Sequence, residues 1–134
     1  MFKLLSRGAQ QVADYFTACH LCDIGVRAHH GVCQSCWQQL PWLKHKIERH
    51  QQDILVACHY EYPISQLIQQ FKYEQQLHHL RLLSGLLLEL KLPKVHAIVP
   101  MPISNDRLME RGFNQSLLIA KELSKVLKIG RAHV

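Results

Sequence analysis

AIVPMPISNDRLMERGFNQSLLIAKELS, residues 97–124, decides how this chain is read. Ala97, Ile98 and Val99 form a short apolar run, which Pro100 and Pro102 stop by fixing φ and removing backbone donors. A basic loop follows. From Asn114 onward, Leu117, Leu118, Ala120, Leu123, Val126 and Leu127 recur at helical spacing, with Lys121, Glu122 and Lys125 between them. Strand, loop and helix make half of a βαβ unit, whose loop holds ligands at the strand's carboxyl end.

Working upstream, Pro93 closes a leucine-rich helix expected over about residues 77–90, apolar on much of its circumference and suited to packing on a sheet. Before it, Pro63 opens a helix carrying Ile64, Leu67, Ile68 and Phe71, with Lys72 and Tyr73 at its end. Residues 54–60, ILVACHY, read as a short buried strand in which Cys58 serves as a small hydrophobe. Residues 44–52 are polar and charged and suit a linker or an exposed helix. The order strand, helix, helix, strand, helix predicts an α/β fold with parallel strands.

The N-terminal third carries a different signal. Cys19-His20-Leu21-Cys22 is separated by ten residues from Cys33-Gln34-Ser35-Cys36. Two C-x-x-C pairs can place four thiolates on one tetrahedral zinc, with Gly25 and Gly31 supplying turns in the knuckle. Such zinc would be structural, since four protein ligands leave no open position for substrate. Paired disulfides or a redox dithiol are the competing readings. His20, His29 and His30 are alternative ligands, but read more simply as solvent-facing loop residues. Trp37, Leu40, Trp42 and Leu43 form an apolar flank for packing or docking; the alternative is stacking on bases. Residues 4–16 have a weak helical pattern leading into the first cysteine. The expected division is a helix and four-cysteine zinc module over 1–50 and an α/β domain over 51–134.

Composition bounds the partners. Among 134 residues, 48% are hydrophobic, enough for an ordinary core, and the formal net charge is +6. That excess favours polyanions or phosphorylated ligands without forming a dedicated basic tail. The richest apolar stretch, LLSGLLLEL, is broken by Ser84, Gly85 and Glu89, so no membrane insertion is expected and the cytoplasm is the expected compartment.

The double C-x-x-C knuckle, Leu67-Ile68-x-x-Phe71-Lys72-Tyr73, Val99-Pro100-Met101-Pro102, Arg107 and Arg111-Gly112-Phe113-Asn114-Gln115 together resemble the competence protein F family. The resemblance runs from about Cys19 to Lys128. It implies a small zinc ribbon followed by a type I phosphoribosyltransferase-like parallel-sheet domain, and a role in DNA uptake during natural transformation. It also implies that Pro100, Met101, Pro102, Ile103 and Ser104 form a pyrophosphate-side loop, with Arg107, Arg111 and Lys72 as its cations. Guanidinium forks four residues apart suit phosphate oxygens. Gly112 and Asn114 suit a positive-φ turn and a helix cap, with Phe113 buried there.

The chain departs severely from that family pattern. A phosphoribosyltransferase needs two adjacent acidic residues for the ribose hydroxyls and a Thr/Gly-rich loop for the 5′-phosphate. Here no two acidic residues are adjacent, and Thr17 is the sole threonine. The expectation is an incomplete, truncated domain without transferase activity by itself, a phosphoribosyl-type ligand belonging only to a complete relative. Single-stranded DNA and DNA-uptake proteins are the expected partners. The alternatives are a zinc-stabilised DNA-binding or adaptor module, or a non-functional remnant.

Overall fold

The computed structural model describes residues 17–131, and the helix expected over residues 4–16 lies outside them. Backbone contacts divide the chain between Leu40 and Pro41 into two compact units.

The first unit is a knuckle closed by backbone hydrogen bonds. The Cys19 N–H donates to the Gly25 carbonyl at 2.7 Å, and short antiparallel bridges join Ala18 to Val26 and His29 to Val32. Gly25 is required by close approach: a Cβ there would lie 2.6 Å from Cys33 Cβ and 2.7 Å from its sulfur. Helix α1, Gln34–Gln38, follows, with Cys33 Sγ as its N-cap acceptor. Cys19, Val32, Cys33, Trp37 and Leu40 are buried. The histidines are not simply solvent-facing, because His29 stacks on Trp37 with ring centroids 5.4 Å apart and His30 tilts against the same ring.

The second unit opens with an antiparallel hairpin, β1 (Trp42–Arg49) and β2 (Gln52–Cys58), in register Arg49↔Gln52 to Trp42↔Cys58. Residues 44–52, expected as linker or exposed helix, instead supply most of β1 and the turn. His50 and Gln51 both take left-handed φ, 50° and 60°, which gives the twist a two-residue hairpin needs. The pairing of β2 also differs from the parallel arrangement expected for residues 54–60. A single strand buried on both faces reads as continuous apolar sequence, whereas β2 is exposed from Gln52 to Ile54 and buried at Ala57.

Helix α2, Ile64–Tyr73, buries Ile64, Leu67 and Phe71 at helical spacing. A 3₁₀ turn, Leu77–His79, leads into α3, Leu80–Leu88, which packs on β2 and on a later helix. Thus the leucine-rich segment begins as a 3₁₀ turn, and its principal cover is another helix. His79 is 5% exposed, with Nε2 2.9 Å from Gln70 Oε1 and 3.1 Å from Gln76 Oε1.

Strand β3 is only Ala97–Ile98, and it pairs in parallel with β4, Gly130–Arg131. Between them lie α4, Asn105–Arg111, and α5, Gln115–Leu127. The basic loop expected up to Asn114 is therefore partly helical. Ser104 Oγ caps α4 by accepting from the Arg107 N–H, and Gly112 ends it at φ 76°. Helix α5 is the one read from Asn114 onward, and α3 is its partner across the core, where Leu82, Leu86, Ala120 and Leu123 are buried. The architecture is mixed helix and strand, a small antiparallel sheet plus one two-residue parallel pair among the described residues.

Candidate oxyanion cleft and metal centre

The chain between Met101 and Ser116 folds around an open cavity of about 470 Å³. Two prolines keep the start of this segment out of regular structure, and α4 then turns back at Gly112 so that α5 begins beside it. Asn114 fastens the two ends. Its Oδ1 accepts from the Leu117 N–H at 3.2 Å while its Nδ2 donates to the Met101 carbonyl at 3.1 Å. Phe113 is half-buried at this turn and meets Phe71 with centroids 5.6 Å apart.

Lys72 on α2, Met101, Pro102, Ile103 and Ser104 on the loop, and Arg107 and Arg111 on α4 all line the cavity. Of the residues that the family resemblance implied for pyrophosphate, Pro100 alone is absent from its wall, being buried. Asn114, Gln115 and Ser116 complete the lining, while Gly112 and Phe113 shape the turn. Among the described residues, the wall thus carries three cations and no carboxylate. Helix geometry adds donors, because the first N–H groups of α5 have no intrahelical acceptor and the helix dipole is positive there. Arg111 is held from both sides. One terminal nitrogen donates to Gln115 Oε1 at 3.2 Å, the other to the Tyr73 hydroxyl at 3.3 Å, and the guanidinium lies 5.0 Å from the Tyr73 ring centroid. Tyr73 and Ser116 went unassigned in the sequence. The Arg111–Gln115 spacing of four residues is a signal that could have joined the last turn of one helix to the first of the next.

In the first unit, the sulfurs of Cys19, Cys22, Cys33 and Cys36 all lie within 4.8 Å of one another. Cys22 and Cys33 Sγ are 3.8 Å apart, far beyond a disulfide bond of about 2.05 Å. A tetrahedron with metal–sulfur bonds of about 2.3 Å has edges of about 3.8 Å, so the spacing fits a bound metal ion. Backbone N–H groups already point at the sulfurs: Leu21 and Cys33 at Cys19, Gly25 at Cys22, and Cys36 at Cys33. The Gly25 and Ile24 N–H groups pull the Cys22 thiol down to about 6, whereas burial, reinforced by the neighbouring thiols, pushes Cys36 up. Trp37 is 7% exposed beneath His29, and Lys44 lies 4.0 Å over the ring of Trp42. Trp37 is thus covered, while Trp42 is half-buried with Lys44 over one face of its ring. Cys58 is half-buried, and burial raises its thiol to about 11. Among the described residues, no helix is long and apolar enough to cross a membrane.

A four-cysteine knuckle able to hold a metal ion and a mixed helix-and-strand unit with a cation-lined cleft define a protein with a candidate metal centre and a candidate anion site. No family model and no solved structure match the chain. It is, however, 32% identical over 93% of its length to Competence protein F of Haemophilus influenzae. That similarity supports a place for the chain in the competence protein F family. It spans about half the length of this curated relative, 55%.

Proposed function

We propose that the chain acts in DNA uptake during natural transformation, with a cleft that takes a phosphoryl oxyanion and a knuckle held by structural zinc. Kinship with competence protein F supports the biological role. The observation that carries the ligand class is the cleft wall, where Lys72, Arg107 and Arg111 stand with no carboxylate among the described residues. Acceptor-rich phosphoryl groups match such a wall, since guanidinium forks pair with two oxygens at once.

The cleft corresponds to the diphosphate end of a phosphoribosyl-type ligand. The acidic pair and Thr/Gly loop that would hold ribose and 5′-phosphate do not occur in these 134 residues. Anion binding, rather than phosphoribosyl transfer, is therefore the activity assigned to this chain, within a phosphoribosyltransferase-like design. Zinc suits the knuckle because soft thiolates in a closed tetrahedral set select it and leave no catalytic position. Its contribution would be folding free energy.

The cytoplasm is the proposed compartment, and single-stranded DNA and DNA-uptake proteins are the proposed partners. The burial of Trp37 favours the cleft over an indole platform as the working surface. Complementation tests the role: in a transformable host lacking its competence protein F, this chain should restore DNA uptake, and the variant Arg111→Ala should not. Equal restoration by both, or by neither, would count against it.

A further inference from the structure

We infer that Gln115 is a ligand donor in the cleft, reading the anion with one end of its amide while the other end holds Arg111. This rests on the oxyanion reading of the cleft and assigns a residue that the resemblance left without a role.

Gln115 is the first residue of α5 and 8% exposed, although it lines the cavity. Arginine offers only donors, so the amide can meet Arg111 only through its oxygen, and Oε1 sits 3.2 Å from the guanidinium. That contact fixes the amide's orientation and turns Nε2 away from Arg111. Nε2 is buried without a hydrogen-bond partner among the described residues, and so is Nε of Arg111. A buried donor left unpaired costs about 1–3 kcal/mol, and two in adjoining side chains are unusual. Both belong to residues of one cavity wall that already carries Lys72 and Arg107. The missing partner is an acceptor. A phosphoryl group supplies several on one centre; both donors are covered in the ligand-free cleft, so the anion reaches them only as the wall side chains shift, while the Tyr73 hydroxyl keeps its hold on the guanidinium.

The test replaces the donor and keeps the shape. Gln115→Glu retains an acceptor for Arg111, now as an ion pair, and puts a carboxylate oxygen where Nε2 stands. Gln115→Met removes both ends of the amide. Inorganic diphosphate is titrated into the full 134-residue chain and followed by calorimetry, with thermal melts on each protein. Affinity should fall about tenfold or more in Gln115→Glu despite an unchanged or higher melting temperature, and less in Gln115→Met. The added carboxylate of Gln115→Glu repels diphosphate whatever Gln115 does, so Gln115→Met decides: undiminished binding by a folded Gln115→Met overturns the inference alone. If the parent chain binds no diphosphate, the cleft reading fails and takes this inference with it.

Discussion

Asn114 ties α5 to the proline loop, donating from Nδ2 to the Met101 carbonyl at 3.1 Å while its other side-chain atom, Oδ1, caps the helix. One side chain therefore sets both the start of α5 and the position of the loop opposite Arg107. Replacing it separates these duties from charge. Asn114→Ala should cost about 1 kcal/mol as a lost cap and weaken diphosphate binding by misplacing the loop. Asn114→Ser keeps cap chemistry but cannot span to Met101. It should recover stability more than affinity, as denaturant melts and calorimetry on the same samples will show.

Tyr73 meets Arg111 through its hydroxyl and its ring. Tyr73→Phe keeps the ring and drops one hydrogen bond, so binding should weaken by roughly two- to tenfold, corresponding to about 0.5–1.5 kcal/mol. Tyr73→Leu should weaken it further by losing the cation–π contact. Equal affinities for Phe and Leu would assign the whole effect to the hydroxyl.

In the knuckle, acid should release the metal. Thiolates bind metal and thiols do not, so loading falls as pH drops. Without metal, the Cys22 thiol lies at about 6, below its ordinary value. The stabilisation tied to its thiolate is complete above the ordinary thiol range and is lost as pH falls through about 6. Titrating bound metal with a chromogenic chelator should give one metal per chain at about pH 7.5 and a steep loss toward about pH 5. Cys22→Ser should release it at higher pH.

The same shifts order the reactivity of the metal-free chain. Near pH 7.5 Cys22 is largely thiolate, while Cys58, raised to about 11 by burial, is not. Mass spectrometry after brief alkylation should find Cys22 modified first and Cys58 late. Early labelling of Cys58 would mean that β2 opens readily.

What the sequence discloses follows from the range of the forces involved. The helices from Ile64 and from Asn114 were legible because their apolar positions recur locally, and the cysteine cluster because its spacing is itself a geometric constraint. Strand β1 was not. Its alternation is interrupted where Lys44 takes a φ of 48° and the register shifts between Trp42 and His45, and its turn uses His50-Gln51 rather than Asn-Gly. Helix α4 hid for another reason: it buries no residue, so no hydrophobic period marks it, and only Ser104 and Gly112 at its ends gave a clue. In the cleft, the cations follow from the family motif. The depth of Gln115 and the reach of Tyr73 to Arg111 depend on how α2, α4 and α5 meet, which local sequence does not encode.

Arg107 and Arg111 are proposed to hold a phosphoryl oxyanion in the cleft. The most direct test is calorimetric titration of inorganic diphosphate into the parent chain and into Arg107→Ala/Arg111→Ala at two salt concentrations. The parent should show one site per chain, weakened by salt, and the double variant should lose at least about tenfold in affinity with its fold intact by circular dichroism. No diphosphate binding by the parent, or equal binding by both proteins, would contradict this proposal.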